Sequence, residues 1–323
     1  MTHGSRLVTI FGGSGFVGRH LVRALAREGW RIRVAVRRPD LAGHLQPLGA
    51  VGQIHAVQAN LRYRDSVARA VQGADAVVNL VGILAESGRQ SFSAVQAQGA
   101  RAVAEEAAKA GITRFVQLSA IGADAASAAA YARSKAQGEA FVMAAIPEAV
   151  ILRPSIVFGP EDQFFNRFAR MAQFLPFLPL IGGGETRFQP VYVADVAAAA
   201  AKALDGGARA GTTYELGGPD IRSFRALLEY ILAVTHRRRL LVPLPFPLAR
   251  LQASILEVLP GKMLTVDQVT MLETDNVVSA AAEAEGRTLA GLGITPSSFE
   301  AIVPTYLYSF RPHGQFDRPE SAG

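Results

Sequence analysis

Tyr131 and Lys135 stand four residues apart in "YARSKAQGE" (131–139). On a helix, residues at i and i+4 share a face. A phenol ordinarily titrates near pH ~10. A neighbouring ammonium favours the phenolate and brings proton exchange closer to neutral pH. Lysine does this as a compact point charge that also donates to ribose hydroxyls, a role arginine fills poorly. The chain has 29 Arg but only four Lys (Lys109, Lys135, Lys202 and Lys262) against seven Tyr, so a chance pair at this spacing is rare. Two readings follow: an acid catalyst with its tuning cation, or a ribose grip kept where chemistry has stopped. Ser119 ends the apolar run "RFVQLSA" (114–120), and the carboxyl ends of parallel strands are where α/β sheets bind ligands. It could orient a substrate carbonyl or be an ordinary strand-end hydroxyl.

A second constellation lies near the N-terminus. In "RLVTIFGGSGFVGRHLVRALAREGWRIRVAVRRP" the glycines fall at Gly12, Gly15 and Gly18. The first permits a tight turn, the second lets the backbone approach a pyrophosphate, and the third lets helix and strand pack closely. The helix that follows offers free N–H groups and partial positive charge to an anion. A glycine motif alone is weak, but this one sits between a strand and a helix, the context that gives it meaning. At the end of the second strand NAD-binding folds tend to carry an acid for the ribose 2′-hydroxyl. Here "VAVRRP" supplies Arg37 and Arg38, with no carboxylate before Asp40. Two cations suit a 2′-phosphate and favour NADP(H) over NAD(H); otherwise they are two solvated surface arginines.

These residues need a scaffold, and the first half of the chain supplies one. Val17, Leu21 and Leu25 recur at helical spacing, Gly29 closes that helix, and "RIRVAV" reads as a strand. "AVVNLVG" (76–82), "RFVQLSA" (114–120) and "AVILRPSIVFG" (149–159) are further buried-strand candidates. Helix-like stretches at 65–73, 93–111 and 131–145 separate them. The alternation predicts an α/β fold, a Rossmann-type doubly wound parallel sheet with a smaller C-terminal lobe. The expected division is a nucleotide-binding domain over 1–160 and a lobe for substrate or partner over 161–323, interleaved with that core. In the second half, "FFNRFARMAQFLPFLPLIGGG" places Phe164, Phe165, Phe168, Met171 and Phe174 along a helix. "FPLARLQASILEVLP" puts Leu248, Leu251, Ile255, Val258 and Leu259 on one stripe. Prolines 243, 245 and 247 are expected to bar any helix before 248. The two apolar faces either cover the lobe or meet lipid or a partner. The tail "RPHGQFDRPESAG" is polar.

Composition narrows the classes. Half of the 323 residues are hydrophobic and 19% are charged, which suits a globular chain with a sizeable core. With no cysteine, disulfides and thiol chemistry are excluded. Neither His nor acidic residues show ligand spacing, so no metal is expected. No apolar run reaches ~18 residues and no leader-like segment precedes the first strand, so neither a membrane span nor a signal peptide is expected. The net charge of +6 comes without an RNA-binding or helix-turn-helix signature, so no nucleic-acid partner is expected.

Taken together, "GGSGFVG", "LSA", "YARSK", "LRPSIVFGP", "FQPVYVADVAAA" (188–199) and "TYELGGPD" (213–220) resemble an atypical, extended-type short-chain dehydrogenase/reductase over about residues 6 to 310. "PLPFPLARL" (243–251), "LTVDQVTMLETDNVVS" (264–279) and "LGITPSSFEAIVPTYL" (292–307) are similar to the dehydrogenase-like accessory subunits of respiratory complex I, NADH:ubiquinone oxidoreductase, in bacterial form. That resemblance implies a tightly bound NADPH without demonstrated turnover. It also implies complex I subunits as partners, and a peripheral place on the cytoplasmic side of the inner membrane near the quinone region. By matching position, Gly12, Ser14, Gly15, Phe16 and Val17 would line the pyrophosphate, and Arg37 and Arg38 would meet the 2′-phosphate. Asn60 and Leu61 would flank adenine, and Val81 and Gly82 would pass under the ribose. Ser119, Tyr131, Lys135 and Pro154 would surround the nicotinamide, with Ser119, Tyr131 and Lys135 catalytic in an active member. Two positions depart from the pattern. Gln96 stands where active members often carry an Asn that supports a proton relay, and Asn60 stands where Asp is common. The alternative is a free-standing NADPH-dependent reductase or isomerase, acting on a quinone or its precursor.

Overall fold

Buried β-branched and aromatic runs make the strands, and glycine turns end them. Val8, Ile10 and Phe11 are buried, and Gly12 leaves the strand with φ +79°, a region open to glycine at little cost. The protein is described by a computed structural model over residues 6–257 and 264–314. Val258, Leu259 and the tail from 315 lie outside those residues. In chain order the strands are β1 (Leu7–Phe11), β2 (Arg31–Val36), β3 (Ile54–Gln58), β4 (Ala76–Asn79), β5 (Phe115–Leu118), β6 (Val150–Pro154), β7 (Val157–Phe158), β8 (Phe177–Ile181), β9 (Arg187–Phe188), β10 (Val191–Tyr192), β11 (Thr213–Leu216), β12 (Arg222–Ser223) and β13 (Leu240–Leu244). The helices that matter here are α1 (Phe16–Arg27), α2 (Arg64–Val71), α3 (Gln98–Lys109), α4 (Ala130–Ala145), α5 (Phe165–Phe174), α6 (Val193–Leu204), α7 (Phe224–Val234) and α8 (Phe246–Leu256).

Two units form. The first comprises Met1–Pro154, Val193–Leu216 and Val278–Thr295, and the second Ser155–Tyr192, Gly217–Val277 and Pro296–Gly323. The sequence places the boundary near 160 with the second lobe interleaved; the chain crosses at Pro154/Ser155 and returns twice to the first unit. In that unit seven strands form one parallel sheet in the order β11-β6-β5-β4-β1-β2-β3. This is the doubly wound order, and its direction reverses between β1 and β4, where such sheets bind ligands. α1 packs on α6, and α2, α3 and α4 pack as a second group, as right-handed crossovers on either side of the switch require. Alanine and valine fill the second group's contact with the sheet: Ala100, Val103, Ala104 and Val142 are all fully buried.

Among the described residues the second unit has no extended sheet. Its strands pair two by two, β7 with β10, β9 with β12 and β8 with β13. A phenylalanine core holds it, built on Phe158, Phe165, Phe224 and Phe299, with rings in edge and stacked contact at 5.0–6.2 Å. Within it the buried Asp162 accepts from the Tyr306 hydroxyl at 2.6 Å and from the backbone N–H of Phe164 at 2.9 Å. Burial pushes that carboxyl up from its ordinary range.

One expectation for this unit needs correction, and one open alternative is narrowed. α8 starts at Phe246, before the expected stop at 248, because Pro245 stands at its N-cap and Pro247 in its first turn, where a missing N–H is harmless. The stripe Leu248, Leu251 and Ile255 is not a core face: each is more than half exposed, and the buried positions are Ala249 and Ala253. Phe174, at the end of α5, is also exposed, at 80%. Among the described residues no helix is long and apolar enough to cross a membrane.

Candidate functional site

All the candidate nucleotide-binding and catalytic residues lie in the first unit. The turn after β1 closes with the Gly15 N–H donating to the Gly12 carbonyl at 3.0 Å. A Cβ on Gly18 would come within 2.5 Å of the Gly12 carbonyl oxygen and 2.6 Å of the Gly13 backbone, so only glycine lets α1 start this close to the strand. At Gly15 a Cβ would meet only the Gly12 oxygen, at 3.2 Å. That position opens outward. α1 carries no side-chain cap at Gly15 and no acid in its first turn, so its own first turn leaves the positive end of the helix without a counter-charge. Ser14, Phe16 and Val17 complete this turn, and the arrangement fits a pyrophosphate.

Across the switch point the chain leaves β4 at Asn79, which is buried. Its amide donates to Gln117 Oε1 at 2.9 Å, and its carbonyl accepts the Val81 N–H at 3.2 Å. This pair holds the Val81–Gly82 turn in place. The sequence reading missed both residues, although a polar Asn and a polar Gln facing each other inside apolar strands are the signal to look for, since buried amides must find partners. A Cβ on Gly82 would stand 3.3 Å from Lys135 Nζ, so the fold brings those two together. Asn60 turns its side-chain carbonyl onto the Arg62 N–H at 3.2 Å, an Asx turn that enters α2. Leu61 packs on α3 over Gly99, where a Cβ would lie 2.8 Å from it.

The proposed 2′-phosphate arginines differ from each other. Arg38 holds Asp40 through contacts at 2.7–3.2 Å, and the guanidinium keeps that carboxyl below its ordinary range. Arg37 donates to the neutral Gln90 side chain at 3.0 Å. Arg37 therefore keeps its charge uncompensated, and Arg38 does not.

Lys135 is buried on α4 and donates to the Leu118 carbonyl at 3.3 Å. Burial lowers its ammonium from an ordinary value of 10.5 to about 8, and Glu139 opposes that fall. Nζ lies 5.8 Å from the centre of the Tyr131 ring, and that ring meets Phe92 edge-on at 5.7 Å. Ser119 follows β5; its N–H donates to the Leu152 carbonyl at 2.7 Å, while its buried hydroxyl has no hydrogen-bond partner among the described residues. A buried hydroxyl without a partner is rare, and an arriving polar group would satisfy it. Pro154 ends β6 and its carbonyl accepts from Ile121 at 3.0 Å. The fit to a nicotinamide riboside is good: a cation for ribose hydroxyls, a phenol and a hydroxyl in need of a partner.

Gln96 explains its own departure from the pattern. It sits in a π-helical turn, Ser93–Ala97, of the kind that often marks functional sites. Its amide donates to the Ile83 carbonyl at 2.7 Å, and its oxygen accepts from Ser134 at 3.1 Å. A Cβ on Gly138 would come within 2.5 Å of the Gln96 carbonyl, so α4 crosses this turn backbone to backbone. Gln96 staples the loop after β4 to α4. Its amide is committed to that staple.

The parallel sheet and its strand order agree with the fold of known proteins. The model of the NAD dependent epimerase/dehydratase family matches residues 8–217. The mitochondrial NADH dehydrogenase (ubiquinone) 1 alpha subcomplex subunit 9 of Arabidopsis thaliana is 36% identical over 320 residues, 95% of this chain and 79% of that protein. A ceramide reductase of Caulobacter vibrioides is 37% identical over 192 residues, 59% of each chain. In fold, an NADPH-dependent quinone oxidoreductase of Escherichia coli, crystallised with NADPH, superposes with a TM-score of 0.72 at 19% identity, covering 93% of this chain and 99% of that one. The chain belongs to the NAD dependent epimerase/dehydratase family, and to the same family as the subunit-9 protein.

Proposed function

We propose that the chain is an accessory subunit of respiratory complex I, NADH:ubiquinone oxidoreductase, which holds NADPH as a mainly structural cofactor. The observation that carries this reading is the similarity to the subunit-9 protein along 95% of the chain, through both units and not the nucleotide-binding one alone. The committed amide of Gln96 supports it too, since the relay residue of active members is replaced by a staple. NADPH would lie along the Gly12–Val17 turn, with Arg37 at its 2′-phosphate and Lys135 at its nicotinamide ribose. The place proposed is the cytoplasmic face of a bacterial inner membrane, peripheral to it. The exposed apolar residues Phe174, Phe177, Leu240, Leu248, Leu251 and Ile255 of the second unit offer surface for partner subunits or lipid. Isolating the complex from mildly solubilised membranes by a tag on this chain tests the proposal. The expected result is a stoichiometric NADH-oxidising complex whose alkaline extract contains NADPH; a chain recovered alone overturns it.

The second reading, a free-standing NADPH-dependent reductase, is favoured by one observation: the unpartnered hydroxyl of Ser119 beside an intact Tyr131–Lys135 pair. NADPH supplies hydride when bound. Ser119 would hold a substrate carbonyl, and the Tyr131 hydroxyl would give its proton to the carbonyl oxygen. Tyr131→Phe separates the readings. Under the first, NADPH binding and assembly change by less than about threefold; under the second, turnover falls by ~10²-fold or more.

Arg37 and Arg38 yield a further expected outcome. Arg37→Ala removes a free cation and should raise the Kd for NADPH by ~10-fold or more, leaving NADH unchanged. Arg38→Ala should change either Kd by less than ~3-fold, because Asp40 already neutralises Arg38. Titration calorimetry with both nucleotides measures this, and equal effects of the two substitutions would refute the assignment.

A further inference from the structure

Tyr131, Lys135 and Glu139 succeed one another at four-residue steps along α4, so the three side chains share one face. Lys135 and Glu139 are both buried. Glu139 is clasped by Arg153 of β6, with its two carboxylate oxygens accepting from Nε at 2.9 Å and from Nη2 at 2.6 Å. Fork-to-fork pairing of this kind is the strong form of the ion pair. It joins the helix that carries Lys135 to the strand that ends in Pro154.

The charges around Lys135 are few. Its own helix contributes Tyr131 and Glu139, and the end of β5 contributes the neutral Leu118 carbonyl. The π-helical turn contributes neutral Gln96, and the loop after β4 contributes Gly82. On α3, Glu105 and Glu106 are taken up by Arg64, Arg101 and Lys109. Arg153 in turn feels Glu139 first, then Glu215 and Asp124. Glu139 is thus the carboxylate that favours the charged form of Lys135, and the same carboxylate is paired with Arg153.

We propose that the Glu139–Arg153 pair is a positioning device that sets the charge of Lys135, with Arg153 limiting how much of the Glu139 field reaches the ammonium. The pair begins one helical turn beyond the cation on α4 and reaches across to β6. It holds Lys135 poised, still protonated at neutral pH and losing its proton just above it. Without Arg153, Glu139 would pair directly with Lys135 and hold it charged and engaged, away from a ribose. Without Glu139, Lys135 would have no counter-charge and would release its proton at lower pH. The use of that poise, a grip on ribose hydroxyls that weakens as pH rises through the Lys135 titration, rests on the cofactor reading above. The charge balance itself does not.

Four lysines in the chain make lysine side-chain NMR with 13Cε label a direct probe, read without nucleotide and assigned by Lys135→Met. The expected result is displacement in opposite directions. Glu139→Gln moves the Lys135 midpoint down by about one pH unit and Arg153→Met moves it up by a similar amount. The double variant Glu139→Gln/Arg153→Met returns close to the wild-type value. A merely structural pair would leave all midpoints together, or would lower stability in both single variants with no opposed titration; either outcome overturns the proposal. If Arg153→Met fails to fold, Glu139→Gln against the double variant still decides, because the midpoint must be lower in the single. NADPH affinity against pH is the second arm. Opposed midpoints in a chain that binds no NADPH would sink the cofactor reading and spare this one.

Discussion

Gly15→Ala should leave the fold intact and abolish most nucleotide binding, whereas Gly18→Ala should break the fold locally. At Gly15 the backbone is extended, with φ −78° and ψ −174°, a conformation alanine shares. Its new methyl meets only the Gly12 carbonyl oxygen at 3.2 Å, so the expected loss of stability is under ~1 kcal/mol. The same methyl stands at the uncapped N-terminus of α1, where a pyrophosphate must come against the backbone. An NADPH Kd raised ~100-fold, about 2.7 kcal/mol, is expected. At Gly18 the methyl would lie 2.5–2.6 Å from the backbone of Gly12 and Gly13. No flexible side chain can yield there, so α1 must move off β1. Overpacking of this kind costs roughly 3 kcal/mol, or a fall in Tm of roughly 5 °C. Thermal melts of both variants with and without NADPH measure all four quantities. If Gly15→Ala binds NADPH as tightly as wild type, the dinucleotide does not lie on this turn.

That contrast also shows what the sequence could and could not carry. The 12-15-18 spacing named the turn, yet Gly13 went unremarked, although a Cβ there would lie 2.9 Å from Val34; nothing in linear order says that β2 passes so close. Parallel strands buried on both faces were readable because they are continuous apolar runs. β3 was not, since "IHAVQ" alternates and sits at the sheet edge with His55 and Gln58 exposed. "AVILRPSIVFG" read as one strand, but it breaks between Pro154 and Ser155, where the chain passes from one unit to the other. In the site, Tyr131, Lys135 and Ser119 were legible from type and spacing. Asn79, Gln117, Glu139 and Arg153 were not, because their importance comes from partners 14 to 38 residues away. The stripe on α8 was legible as amphipathic. Which side faced the core was decided by the small residues Ala249 and Ala253, which allow close approach, against a hydrophobicity argument that favoured Leu248, Leu251 and Ile255.

Lys135→Met should make the nucleotide-free protein more stable and deprive it of NADPH. Burial takes the Lys135 ammonium from 10.5 to about 8, a difference equivalent to roughly 3 kcal/mol against the folded state at neutral pH. Methionine fills similar volume without the charge and loses about 1 kcal/mol for the hydrogen bond to Leu118, so a net gain of roughly 2 kcal/mol is expected, several degrees in Tm. The sign of the pH dependence follows from a depressed base. Below pH 8 the wild-type lysine is charged in both states and the full penalty applies. Between 8 and 10.5 the folded state has released the proton while the unfolded state still holds it, so wild-type stability rises with pH. The advantage of Lys135→Met is therefore complete at pH 7 and closes between pH 8 and 10.5. Binding moves the other way. Charged hydrogen bonds to ribose hydroxyls are worth ~1.5–3 kcal/mol, so the Kd for NADPH should rise by ~10- to 100-fold. Wild type gains about 2.7 kcal/mol at a hundredfold excess over Kd, and the variant should show little of that protection. A residue kept at a cost to the apo fold, and recovered only when nucleotide binds, is a binding residue whether or not Tyr131 ever passes a proton. Lower stability in Lys135→Met with unchanged NADPH affinity would instead make Lys135 a packing residue, and the ribose grip would have to be sought elsewhere along the ends of β4 and β5.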